Sequence, residues 1–393
     1  MLDIASLPEP PFRLSPNPGG TLLPNQVIGR DPLIRELWTV LDTRSLLLSA
    51  PRRLGKSSIC RRMIAYPPSA WTTHARDLEG GRRPEELVSW LFEDVRTLLS
   101  PWRRAATRTE RLLKLFGGKV EVAGVRVEVV QTHWVELLDA LLDDLDESAR
   151  LQGLRVALFW DEFPLFIGDL ARNGAAKDAM VLLDRLRAAR ARNAHTRMVL
   201  NGSIGVDEVI GTLRQAGYAN DPFNDMGKQR VPVLPAEGAV ALAQALIRGA
   251  ELPAADLDSL APSLATLSEG HPFVLQHLAN GLRHAGRATP EAAADVLDQL
   301  LDAENDPLEL RHWLVRLETD GNGGAAALAR TLLDRVAAAG SAPTSALIEG
   351  LEAEAARGML TRLRQEGYLA RTGEELRFSF AFLRTWWRRE RGL

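Results

Sequence analysis

Residues 45–64 read SLLLSAPRRLGKSSICRRMI: a short apolar run, a turn-forming segment, then a stretch of helical character. This order of strand, glycine-bearing loop and helix limits the fold more than any other feature of the chain. The run at 46–48 is too short for a buried helix and suits a buried strand. A loop that carries the chain from such a strand into a helix aims free backbone N–H groups and the positive end of the helix at one point. Gly55, Lys56 and Ser57 stand at that point. N–H groups there can cradle phosphate oxygens, the lysine reaches the outer phosphates, and the hydroxyl serves a hard cation. Pro51, Arg52, Arg53, Leu54 and Ser58 complete the candidate binding loop. Ala50 occupies the first position, where such loops usually have glycine, so only the second half of the pattern is complete. The competing explanation is a surface turn that happens to contain Gly-Lys-Ser, and the flanking strand and helix weigh against it. Arg52 and Arg53 are left open between nucleotide, a neighbouring subunit and solvent.

A second element supports the first. LRVALFWDE at 154–162 is a continuous apolar run ending in two carboxylates, the pattern of a parallel strand buried on both faces. Asp161 then lies at the carboxyl edge of the sheet, where open α/β folds bind ligands, and is placed to hold magnesium through water. Glu162 is placed to accept a proton from an attacking water. The bland alternative for both is a solvated loop start. RMVLNGS at 197–203 is another buried strand with polar residues at its end. Asn201 or Ser203 would reach between the outer phosphate and that water, or else cap the next helix.

The remaining chain falls into segments. Residues 1–26 are rich in proline and glycine and read as an extended lead-in. The α/β core is expected over 27–235, with a basic and hairpin-forming insertion at about 101–131. Its helices are expected from Asp31, with Leu33, Leu37, Val40 and Leu41 on one face, and at 84–99, 134–148 and about 174–192. VPVLP at 231–235 is expected to be its last strand. Alanine- and leucine-rich helices follow at about 236–250, 254–268, 272–285 and 290–302, a helical subdomain over 236–318. Three helices and a hairpin over 319–393 suggest a winged helix, joined through TDGNGG at 319–324.

Composition excludes other classes. Hydrophobic residues at 46% and charged residues at 25% describe a globular chain rather than a disordered one. No apolar run approaches the ~20 residues that a membrane-spanning helix needs. The net charge of -3 says little, since basic residues gather at 103–114 and 384–391 while acidic ones gather at 139–147. One cysteine, Cys60, and an N-terminus without the features of an export signal lead to the expectation of a cytoplasmic protein.

GRDP at 29–32, PRRLGKSS at 51–58, LFWDEFP at 158–164, NGSIG at 201–205 and EGHPF at 269–273 occur in one order. Together they resemble the archaeal-ATPase-like branch of the AAA+/STAND P-loop NTPases, over nearly the whole chain. The resemblance implies a P-loop NTPase core of the additional-strand type with a parallel sheet, a helical lid and a C-terminal winged-helix domain. It implies ATP and Mg2+ as cofactors, with Val27, Ile28 and Gly29 near the adenine. It also implies that Gly270, His271 and Pro272 open a lid helix facing the nucleotide. Taken from the residues alone, His271 is equally a capping or surface residue. The lid helix lacks a clear arginine, and Arg230 is a weak candidate for a trans-acting one.

The function expected is an ATP-hydrolysing switch, turning ATP and water into ADP and phosphate, slowly or on stimulation by a partner. Mg-ATP state would set the position of the lid and winged helix, or self-association into a homo-oligomer. The alternative is a nucleotide-gated DNA-binding or scaffold protein with negligible turnover. FLRTWWRRERGL at 382–393 mixes arginines with Trp386 and Trp387 and would grip phosphate backbones, or would pack its aromatic residues inward with its arginines solvated. The basic stretch Arg103, Arg104, Arg108, Arg111 and Lys114 is a second candidate for nucleic acid or an acidic partner, or a solvated surface.

Overall fold

The computed structural model describes residues 12–98, 108–115, 133–202, 205–252, 257–319 and 323–393. The hairpin expected near 119–130, Arg103, Arg104, Ser203 and the centre of the 319–324 linker lie outside the described residues. By its internal contacts the chain divides into two units. One contains Asp31–Ala50 and Lys56–Val231; the other contains residues 12–30, Pro51–Gly55 and Pro232–Leu393.

The first unit is built on a sheet of β1 (Leu46–Ser49), β2 (Trp71–Asp77), β3 (Arg155–Asp161), β4 (Thr196–Asn201) and β5 (Gly227–Arg230). Its order is β2-β3-β4-β1-β5, and every neighbouring pair is parallel. β4 therefore lies between β1 and β3, with Leu48 opposite Asn201 and Trp160 opposite Leu200. The central strands are buried on both faces, which is why β1 and β3 are apolar up to their ends and β4 is apolar at its centre, Met198 to Leu200. The edge strands β2 and β5 are half exposed and polar.

Helices pack on this sheet through amphipathic faces. Asp31–Leu41 buries Ile34, Leu37, Trp38 and Leu41. The buried face is offset from the expected one, since Leu33 and Val40 are only half-buried while Trp38 is enclosed, its ring 5.3 Å from that of Trp71. Pro84–Leu98, Trp134–Leu151 and Ala176–Arg192 form as expected; Phe163–Leu170 and Val206–Gln215 are additional helices. VPVLP is not a strand. The last strand is the preceding GKQR, and pairing continues only as far as Val231, whose N–H donates to Ser49 O at 2.8 Å. Pro232 and Pro235 have no N–H to extend the ladder.

The second unit joins the helices Ala236–Gly249, Leu257–Leu267, Pro272–Ala285, Pro290–Asp302 and Arg311–Thr319 to those at Gly323–Ala339, Thr344–Leu347, Ala353–Glu366 and Ala381–Arg391. The last group carries a small antiparallel sheet of β6 (Ser341–Pro343), β7 (Leu369–Thr372) and β8 (Glu375–Phe378), ordered β6-β8-β7. The middle one of the three helices expected over 319–393 is confined to Thr344–Leu347. One apolar cluster runs from Leu14 and Ile28 to Trp387. The lead-in belongs to it: Leu14 N–H donates to Ala245 O at 2.9 Å, and Gly249 admits the Leu14 backbone where a Cβ would lie 2.3 Å from it.

The C-terminal tail resolves one of the open alternatives. Trp386 and Trp387 are buried, and Trp387 Nε1 donates to Asp334 Oδ1 at 2.8 Å. Of the arginines, Arg389 pairs with Asp298 and Asp302, Arg391 pairs with Asp334, and Arg384 donates to Ala337 O. The tail packs inward as expected for its aromatic residues, but these three arginines are held by carboxylates and a carbonyl.

Candidate functional site

β1 delivers the chain at Ser49 into the loop that ends at the helix Lys56–Ala65. Arg53 (φ 65°) and Gly55 (φ 87°) take left-handed backbone. Among the described residues a Cβ on Gly55 would meet nothing within 4 Å, so conformation rather than space favours glycine there. Lys56 opens the helix, and its ammonium donates to the carbonyl of Gly202, the residue after β4. Ser57 Oγ donates to Asp161 Oδ2 at 3.4 Å. The helix is anchored further along by Arg62, fully buried and 2.9 Å from Asp31 Oδ1.

Asp161 ends β3, and its carboxylate accepts the N–H of Glu162 at 3.0 Å. Burial raises its proton affinity; the Glu162 N–H opposes this, the Glu162 carboxylate adds to it, and Lys56 opposes it again. A cation beside Asp161 would relieve that cost. Glu162 takes a left-handed φ of 52° before the helix Phe163–Leu170, a conformation that costs a non-glycine residue ~1–3 kcal/mol. The turn runs close to the end of β4. A Cβ on Gly202 would lie 2.5 Å from Pro164 Cδ and 3.4 Å from Glu162 Oε2. Glycine at 202 thus lets the Lys56 and Glu162 side chains approach the same stretch of backbone.

Asn201 is buried, with Nδ2 3.7 Å from Cys60 Sγ and, among the described residues, no hydrogen-bond partner for Oδ1. Cys60 is enclosed too, and burial pushes its thiol up to about 12. Of the two polar residues expected to reach a phosphate and a water, only Asn201 is within the described residues.

Other candidates lie in the second unit. Val27 and Ile28 are buried. Gly29 has φ 73°, and a Cβ there would lie 2.7 Å from Gly238 Cα. Arg30, 3% exposed, spends its guanidinium on main-chain carbonyls: Pro232 O at 2.8 Å, Val233 O at 3.2 Å and, from the loop, Leu54 O at 2.9 Å. Burial pushes it down to about 10. Arg52 and Arg53 both engage Glu309. His271 is neither a surface residue nor a side-chain cap of the helix Pro272–Ala285. It is 5% exposed, meets the rings of Phe380 and Phe382 edge-on, and is pushed down to about 3 by burial and then by Arg30, so it is neutral.

No protein-family model and no curated protein matches the sequence. Solved structures do. A Walker-type ATPase of Pyrococcus abyssi superposes with a TM-score of 0.58 at 17% identity, covering 96% of this chain and 99% of that one. The fold is that of a P-loop NTPase. The ORC2 protein of Aeropyrum pernix, solved in ADPNP–ADP complexes, gives a TM-score of 0.46 at 10% identity over 97% of this chain and 98% of that one. The Holliday junction branch migration motor RuvB of Thermotoga maritima gives 0.40 at 13% identity, over 90% and 93%.

In a P-loop NTPase fold with β4 between the loop-bearing strand and the carboxylate-bearing strand, Lys56, Ser57, Asp161, Glu162 and Gly202 occupy one edge of the first unit's sheet. Gly202 and Arg30 lie in the motifs NGSIG and GRDP but carry no role of their own in the sequence reading, and Glu309 is absent from it. Gly202 had a usable signal, a glycine directly after a polar strand end. Asp77, opposite Asp161 across β2 and β3, escaped with its strand. The donor set suits Mg2+: a serine hydroxyl and one carboxylate that burial makes costly to leave uncompensated, the hard oxygen ligands that this ion combines with water and phosphate. Among the described residues no cluster of three or more His, Cys, Asp or Glu forms a self-sufficient metal cage.

Proposed function

We propose that this chain binds Mg-ATP at the loop after β1 and hydrolyses it to ADP and phosphate. The observation that carries the proposal is the meeting of Lys56, Ser57, Asp161 and Glu162 at one edge of a parallel sheet with the P-loop NTPase strand order. Lys56 would leave the Gly202 carbonyl for the outer phosphates, a stronger, charge-assisted contact. Ser57 and Asp161 would hold Mg2+, which when bound neutralises charge on the phosphate oxygens. Glu162 orients a water and takes its proton, and Asn201 supplies a polar contact from β4. Val27, Ile28 and Gly29 are proposed for the adenine, and Arg52, Arg53, Ser58, His271 and Pro272 for the rest of the binding set.

In the finer proposal the protein is a switch of AAA+/STAND type, with nucleotide state coupled to the helical region, to the C-terminal module or to self-association. The arrangement of Gly323–Ala339, β6, Thr344–Leu347, Ala353–Glu366, β7 and β8 supports reading that module as a winged helix. A DNA or protein partner would then meet the exposed face of Ala353–Glu366, which carries Arg357 and Arg364 but also Glu354, rather than the tail, whose Arg384, Arg389 and Arg391 are engaged. Phosphate release with and without duplex DNA, together with light scattering in Mg-ATP, tests this. Turnover with an ATP-dependent change in mass or DNA affinity supports the switch; turnover without either leaves a plain ATPase and removes the switch.

A further inference from the structure

The two arginines of the phosphate loop close on a single carboxylate of their own unit. Arg53 Nε donates to Glu309 Oε2 at 2.9 Å and Arg53 Nη2 to Oε1, while Arg52 Nε lies 3.0 Å from Oε2. Arg53 also sits over the ring of Phe273, its guanidinium carbon 5.0 Å from the centroid. The contact is built from both ends. Arg53 (φ 65°) and Glu309 (φ 55°) each hold left-handed backbone that glycine would adopt freely. Asp306, also left-handed at φ 47°, accepts the N–H groups of Leu310 and Arg311 at 2.7 and 2.9 Å and fixes the turn that presents Glu309. All three charged side chains remain 30–50% exposed, so the pairing is reachable from solvent.

A guanidinium binds a carboxylate and a phosphate with the same two-pronged geometry. A carboxylate that occupies both arginines of a phosphate loop is therefore a competitor of any polyphosphate that needs them. We propose that Glu309 is an internal competitor for the nucleotide, clasping Arg52 and Arg53 until a polyphosphate displaces it. Displacement frees the 304–310 turn, which leads directly into the helix Arg311–Thr319, so occupancy of the loop is transmitted to that helix, within the same unit, through this one carboxylate. The inference rests on the nucleotide-binding function proposed above.

The competent, unclasped fraction scales the apparent affinity directly, and part-exposed pairs of this kind hold most but not all molecules, so removing the charge tightens binding roughly 3- to 10-fold. The test measures the Kd for Mg-ADP by calorimetry in wild type, Glu309→Gln, Arg53→Ala and the double variant. Glu309→Gln is expected to bind tighter by that factor, and the gain is expected to vanish in the Arg53→Ala background. Unchanged or weaker binding by a Glu309→Gln protein with wild-type circular dichroism overturns the clasp, as does a gain that persists without Arg53. Should Glu309→Gln not fold, Glu309→Asp, which keeps the charge but shortens the reach, decides with the same expected direction. Absence of binding in wild type and all variants overturns the nucleotide-binding function itself, a result distinct from loss of the clasp alone.

Discussion

The ammonium of Lys56 and the carbonyl of Gly202 form a hydrogen bond that joins the start of the helix after β1 to the residue that follows β4. The cation is thereby stored beside Glu162, whose Oε2 would lie 3.4 Å from a Cβ placed on Gly202. Lys56→Ala is expected to weaken Mg-ATP binding by about 10-fold or more, the scale of a lost charge-assisted hydrogen bond. Equilibrium binding of a fluorescent nucleotide checks it, and normal affinity in the variant would remove Lys56 from the site.

Gly29 is expected to tolerate no side chain. Its φ of 73° and the 2.7 Å that would separate an added Cβ from Gly238 Cα combine backbone strain with overlap. Gly29→Ala should destabilise the protein by about 2–3 kcal/mol. Urea denaturation checks this; a variant with the wild-type midpoint would show that the two backbones part at little cost.

His271 makes stability depend on acid. Its folded pKa of about 3 lies below the ordinary value of 6.5, so the unfolded chain takes up a proton that the folded one refuses. The stabilisation is complete above pH 6.5 and is lost as pH falls toward 3, at about 1.4 kcal/mol per pH unit over the middle of that range. His271→Phe is expected to flatten the fall in unfolding free energy between pH 6 and 4 by that slope. Parallel curves for wild type and variant would contradict a buried neutral imidazole.

Cys60 is expected to be inert in the native protein, because burial pushes its thiol up to about 12 and little thiolate exists near neutrality. A chromogenic disulfide should react with it only after denaturant is added. Rapid stoichiometric reaction in buffer would show that the space between Cys60 and Asn201 opens.

The parts of the fold legible in the sequence are those where one local property dominates. β1, β3 and the centre of β4 are buried on both faces and so are written as apolar runs. β2 and β5 are edge strands, THARD and GKQR carry no apolar alternation, and the apolar VPVLP beside β5 looks more like a strand than β5 does, although its prolines cannot extend a ladder. Lys56, Ser57, Asp161 and Glu162 are legible because strand end and chemistry coincide within a few residues. Arg30 to Leu54 and Arg53 to Glu309 are not, since these contacts join positions 24 and 256 residues apart with nothing local to mark them. The tail is half legible: packing of Trp386 and Trp387 is one of two alternatives the sequence leaves open, and the carboxylates that hold Arg389 and Arg391 lie far back in the chain.

Glu162 tests the central claim most directly, because a nucleotide-binding protein needs Lys56 and Asp161 but only a hydrolase needs a base beside them. Phosphate release by wild type and Glu162→Gln is to be measured at saturating Mg-ATP, with nucleotide affinity measured alongside. The expected result is turnover in wild type, a fall of roughly 100-fold or more in the variant, and Mg-ATP affinity retained. Turnover by Glu162→Gln at the wild-type rate would contradict the assignment of the base, and absence of turnover in both would contradict ATP hydrolysis as the function of this site.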